Sequence, residues 1–178
     1  MKVALIYFLS VFFFLAILPA IIGTSGLFLD ELLNLPQIVY PPYNLIPTLI
    51  FLVFGAFWMV WSFYALIKIG QGNPQEIFGK EILPATKKLI IIGPYRYTRN
   101  PMVFGWFSFV AGIGLYLGSL SLLLMVLPLF LVAVIIYLKN FEEKKLLIRL
   151  GNDYVLYRNK TPMILPRFMT NNRKMPKI

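Results

Sequence analysis

The sequence predicts an all-α fold: a polytopic helical integral membrane protein with about four transmembrane helices, a C-terminal helical hairpin and a cytoplasmic tail. Three observations predict it. Hydrophobic residues make up 59% of the chain and charged residues only 13%, about half the share in a soluble domain. Uncharged runs long enough to cross a bilayer begin at Val3, Leu45 and Met102. All 17 Lys and Arg lie outside those runs. The expected organisation is a single membrane domain over 1–178. Two N-terminal spans fill 1–67, a polar segment with the remaining spans and their extension 68–166, and a tail 167–178.

Taken in order, Val3–Ile22 forms the first span, about 30 Å long at 1.5 Å per residue. It is too long for the apolar core of a cleaved signal peptide, and no Ala-x-Ala-like site follows it. Pro19 is expected to bend or end this helix. Gly23–Asn44 reads as a connection with solvated charges at Asp30 and Glu31 and a short interfacial helix near Leu27–Leu35. Leu45–Ile67 is the second span. Trp58, Trp61 and Tyr64 toward its end suit an aromatic belt at the lipid–water boundary.

Lys68–Arg99 is polar and mostly basic, with a loop signal at Gly70-Gln71-Gly72-Asn73-Pro74 and a short apolar run at Leu89–Ile92. Pro101–Leu117 and Ser121–Leu138 are the third and fourth spans, joined by a turn at Gly118-Ser119. Pro101 suits a first helical turn, where its missing N–H has no partner to lose. Gly105, Gly112 and Gly114 permit close helix approach, and Pro128 is expected to kink the fourth span. Asn140–Leu150 continues that helix, Gly151 stands where a C-cap belongs, and Thr170–Ile178 reads as disordered. No Lys or Arg falls in 23–44 or 118–120. Both termini and the 68–99 segment are therefore expected to be cytoplasmic.

The chain has no Cys and no His. That excludes disulfides, thiolate or imidazole metal sites and His-based catalytic triads, and no metal is expected. The formal charge of +10 sits beside apolar runs and not in a soluble basic segment, so nucleic acid is not an expected partner. Few ionisable groups lie inside the spans, which argues against an ion path.

If the third and fourth spans form a hairpin, Arg96, Arg99 and Asn100 at its entry meet Glu142 and Glu143 at its exit. That shared mouth is the expected active site. Plain alternatives are topology-setting charges and surface ion pairs of Glu142 with Lys145 and Glu143 with Lys139.

Four ordered motifs sharpen this reading. Gly93-Pro-Tyr-Arg-Tyr-x-Arg99-Asn100-Pro101-Met-x-x-Gly105, then Glu142-Glu143, then Gly151-Asn-Asp-Tyr154-x-x-Tyr157, then Pro162-x-x-x-Pro166 together resemble the isoprenylcysteine carboxyl methyltransferase and phospholipid methyltransferase family. The Gly70-x-Gly72-Asn73-Pro74 segment is similar to that of some prokaryotic relatives. The family's usual Arg-His-Pro is Arg99-Asn100-Pro101 here. The resemblance implies an S-adenosylmethionine-dependent membrane methyltransferase with a lipidic or prenylated small-molecule acceptor. Arg96, Arg99 and Asn100 are the implied catalytic residues. Glu142, Glu143, Tyr95, Asn100, Pro101, Gly105, Tyr154, Tyr157, Gly70 and Gly72 are the implied cofactor contacts. A carboxylate acceptor suits a site without imidazole, because it arrives ionised. Two other readings stay open at this point: an NADPH-dependent reductase of the sterol or steroid type on a related scaffold, and a non-catalytic membrane scaffold.

Overall fold

The structure, a computed structural model, describes residues 2–70, 76–77, 80–81 and 89–168. Helix α1 (Lys2–Phe12) runs through a π turn, Phe13–Ile17, into α2 (Leu18–Leu32). Helix α3 is Leu45–Lys68. Strands β1 (Glu76–Ile77) and β2 (Lys80–Glu81) pair antiparallel over two residues each. A 3₁₀ turn, Gly93–Arg96, precedes α4 (Pro101–Leu117). A π turn, Leu122–Val126, leads into α5 (Leu127–Tyr137), and another, Leu138–Glu142, leads into α6 (Glu143–Lys160). Apart from that two-residue pairing, the described residues form the all-α fold the sequence predicts. Among the described residues three stretches, Phe8–Leu32, Leu45–Lys68 and Leu122–Lys160, are long and apolar enough to cross a membrane, and Pro101–Leu117 is a shorter apolar helix.

Pro19 does not end the first helix. The turn before it opens instead: Leu18 N–H donates to Phe13 O, five residues back. A proline ring collides with the carbonyl four residues earlier in an α-helix, and a widened turn relieves that collision without breaking the helix. Pro128 follows the same pattern, with Leu127 N–H donating to Leu122 O. The interfacial helix expected near Leu27–Leu35 is not separate. It is the continuation of α2, which ends at Leu32 before Asn34 turns the chain with φ 51°. The third π turn, Leu138–Glu142, has no proline behind it and delivers the chain directly to Glu143.

The fold divides into two compact units. The first comprises residues up to Phe54 together with Phe107–Ala133. Here Asp30 is not a solvated loop charge. It sits in α2 and accepts from Ser119 Oγ (2.5 Å) and Ser121 N–H (2.8 Å), while Ser121 Oγ donates to Gly26 O (2.6 Å). Its carboxylate therefore caps the start of the helical stretch at Leu122, whose first N–H groups have no partner within the helix. Asn44 Nδ2 donates to Tyr116 O at 2.9 Å.

The second unit comprises Gly55–Trp106 and residues from Val134 onward. Gly105 on α4 faces the α3 backbone so closely that a Cβ there would lie 2.8 Å from Gly55 O. Trp58 is not a lipid-facing belt residue. It is 2% exposed, and its ring meets Phe104 (5.1 Å), Trp61 (5.6 Å), Tyr97 (6.3 Å) and Phe168 (6.4 Å). Tyr64 is exposed, as a boundary tyrosine should be. Of the Leu89–Ile92 run, Ile90 is buried and Ile92 exposed.

Candidate active site

The site lies wholly within the second unit, between the Gly93–Arg96 turn, the start of α4 and α6. Pro101 opens α4 and is buried. Arg99 stands two residues before it. Its Nη1 donates to Oε1 of Glu143, the first residue of α6, and both side chains are 12% exposed. Arg158, on the last turns of α6, lies 3.8 Å from the other oxygen, Oε2. Glu143 is thus flanked by two guanidinium groups, and Arg99 Nε is buried with no hydrogen-bond partner.

Gly151 makes this arrangement possible. As the sequence predicts, it ends the helical segment that leads up to it; at φ 57°, ψ −133° it leaves the helical conformation and divides α6 into two helical segments across a kink. Only glycine adopts that backbone without strain. The helix resumes beyond it and turns Tyr154 and Tyr157 inward, at 2% and 4% exposure. The Tyr154 phenol is hydrogen-bonded to the Arg99 guanidinium. Tyr157 Oη donates to Tyr95 O at 2.7 Å, fastening α6 to the 3₁₀ turn. Burial, and behind it the Glu142 carboxylate, push the Tyr95 phenol well above its usual range. Burial also raises Tyr157, and Tyr154 is raised by burial and Glu143 against the opposing pull of Arg99. All three phenols therefore stay protonated near neutral pH; Tyr157 donates, whereas Tyr154 accepts from Arg99, whose guanidinium carries only donors.

Beyond Lys160 the chain leaves the helix. Thr161 is extended (φ −114°, ψ 126°), as a residue before proline prefers. The strap 161–168 then runs beside 97–100: Arg99 N–H donates to Pro162 O (2.9 Å), Asn100 N–H to Met163 O (3.1 Å) and Arg167 N–H to Tyr97 O (3.0 Å).

The sequence-predicted residues divide accordingly. Arg99, Glu143, Tyr154 and Tyr95 come together, and Glu142 is exposed beside them on the preceding turn. Arg96 is exposed at the end of the 3₁₀ turn. The Asn100 amide donates to Met163 O at 3.0 Å, within the protein. Tyr157 is occupied with Tyr95 O. The space at Gly105 is filled by α3, so this glycine serves helix packing and not ligand room. Gly70 is buried just past α3, and Gly72 lies outside the described residues. Sequence reasoning missed Arg158 and the strap. Arg158 follows Tyr157 directly, but the break at Gly151 hides its relation to Glu143 from any helical period.

The family model for phospholipid methyltransferases matches residues 43–151. The chain belongs to this family. By that membership it is a membrane methyltransferase, and the match takes in Arg99, Asn100, Glu142 and Glu143. Neither curated proteins nor solved structures gave a match.

Proposed function

We propose that this methyltransferase uses S-adenosylmethionine and methylates a carboxylate on a lipidic or prenylated acceptor. One observation carries the reading: the sheltered Arg99–Glu143 pair inside the family-matched mouth of the helical hairpin, joined from beyond the matched residues by Tyr154 on Arg99 and by the more exposed Arg158 on Glu143. The donor set suits the cofactor. Arg99 Nε is a buried, unused N–H fit to receive the amino-acid carboxylate, and planar guanidinium groups bind carboxylates in fixed geometry. Glu142 and Glu143 suit ribose hydroxyls and the ammonium group, and the Tyr95 and Tyr154 rings suit a cation.

When bound, the cofactor supplies a methyl group on a sulfonium, already activated for in-line displacement. The residues of the chain bind and align. Arg99 and Arg158 hold negative charge, Glu143 bridges the two guanidinium groups and fixes their positions, and the buried tyrosines exclude water. The phenols, held protonated, do not act as bases, and the chain has no imidazole. An acceptor that arrives deprotonated fits this set, and a carboxylate does. Residues 68–166 are the proposed catalytic region, facing the cytoplasm on the distribution of Lys and Arg.

Calorimetry with S-adenosylmethionine and S-adenosylhomocysteine on detergent-purified protein, with Glu143→Ala alongside, tests the cofactor. Saturable binding lost in the variant is expected, and absence of binding to folded wild type overturns the reading. Labelled methyl transfer into lipid extracts tests the acceptor. Label released as methanol by mild alkali marks a methyl ester, whereas alkali-stable label places the methyl elsewhere than on a carboxylate and overturns that assignment.

A further inference from the structure

One backbone oxygen in the second unit receives three donors. Met163 O accepts from Thr98 Oγ1 (3.0 Å), Asn100 Nδ2 (3.0 Å) and Asn100 N–H (3.1 Å). A carbonyl has two lone pairs, so this one is fully used. The third donor is shared, since Asn100 N–H also reaches Thr98 Oγ1 at 3.3 Å. Thr98 is fully buried. The residue enclosed by these two is Arg99, whose own N–H donates to the adjacent carbonyl of Pro162. Pro162 and Pro166 bring no N–H to this pairing, so the strap depends on few bonds, and most converge on Met163 O.

We infer that Asn100 and Thr98 are positioning residues: by locking Met163 O they hold the 161–168 strap against 97–100 and fix Arg99 on Glu143. This rests on the proposed cofactor site for its binding readout, but not for its structural one. It also accounts for the departure from Arg-His-Pro. Asn Nδ2 and His Nδ1 occupy the same place along the side chain, two bonds beyond Cβ, and both can carry a hydrogen to donate. An amide does the work of an imidazole when the task is to donate to a carbonyl. It does not when the task is to accept a proton.

The test uses the full-length protein in detergent, as wild type, Asn100→Ala, Thr98→Val and Asn100→His. Amide hydrogen exchange across 161–168 is read without ligand, and S-adenosylhomocysteine affinity is read by calorimetry across pH 5.5–8. Asn100→Ala and Thr98→Val are each expected to speed strap exchange roughly tenfold, the scale of one lost hydrogen bond to a buried acceptor. Both are expected to weaken binding. Asn100→His is expected to restore slow exchange and affinity with no new pH dependence near 6.5. Strap exchange unchanged in both Asn100→Ala and Thr98→Val overturns the inference. So does weakened binding with unchanged exchange, because Asn100 would then touch the ligand itself. If wild type binds no S-adenosylhomocysteine, the cofactor reading fails, and the exchange data still decide the positioning role.

Discussion

The Arg99 guanidinium is bonded through Nη1 to Oε1 of Glu143, 44 positions along the chain, at a point where both side chains are 12% exposed. Removing one partner of a pair so sheltered strands the other charge, which costs about 3–5 kcal/mol. Arg99→Ala and Glu143→Ala are each expected to abolish S-adenosylhomocysteine binding and to lower the thermal midpoint. The double variant should lose much less than the sum, since one interaction is removed twice. A double-variant cycle on thermal midpoints checks this, and additive losses would show that the pair is not coupled.

The buried phenols make the second unit sensitive to alkali. Tyr95, Tyr154 and Tyr157 are all raised above the ordinary value of 10.0, chiefly by burial. Above that pH the unfolded chain sheds these protons and the folded one keeps them. Stability is therefore fully present below about pH 10 and falls as pH rises, by up to about 1.4 kcal/mol per pH unit for each phenol. Tyr157→Phe should flatten this alkaline slope. At neutral pH it should cost about 1–3 kcal/mol by leaving Tyr95 O unpaired. Thermal midpoints of wild type and variant between pH 8 and 11.5 test both signs.

The fold was legible because long apolar runs and flanking charges constrain membrane helices strongly; α3 and α4 begin where the sequence places them. What failed was local. Pro19 reads as a bend or an end of the helix; only the end fails, because the π turn at Phe13–Ile17 lets the helix run on past the proline. Trp58 reads as a lipid-boundary residue because its partners Tyr97, Phe104 and Phe168 come from distant segments. In the site, the hairpin logic brought Arg99 to Glu143. The orientation of Glu143 was not readable, because a π turn immediately before it shifts the helical phase away from the 3.6-residue period. Nor was the inward turn of Arg158, which depends on a backbone angle at Gly151.

Gly105 separates packing from ligand binding. A Cβ added there would stand 2.8 Å from Gly55 O, 2.9 Å from Met59 N and 2.9 Å from Trp58 Cβ. Two of these are backbone atoms that cannot swing aside. Gly105→Ala should therefore push α3 and α4 apart at a cost of about 1–3 kcal/mol, seen as a lower thermal midpoint with or without S-adenosylhomocysteine. Loss of affinity at an unchanged midpoint would return Gly105 to the cofactor.

Gly151 offers the opposite experiment, in which space is free and only the backbone objects. Nothing lies within 4 Å of where its Cβ would stand, yet φ is 57°. Gly151→Ala therefore adds no clash, and its cost of about 1–3 kcal/mol comes from the strained backbone alone. The variant can escape that strain by straightening α6. Straightening moves Tyr154, Tyr157 and Arg158 away from Arg99, Tyr95 O and Glu143 together. The expected result is weaker S-adenosylhomocysteine binding with helix content unchanged or slightly raised by circular dichroism. Asn tolerates positive φ only near the left-handed helical ψ, far from −133°, so Gly151→Asn should lose about as much as Ala. Unchanged affinity in both variants would show that the break at Gly151 does not set the site.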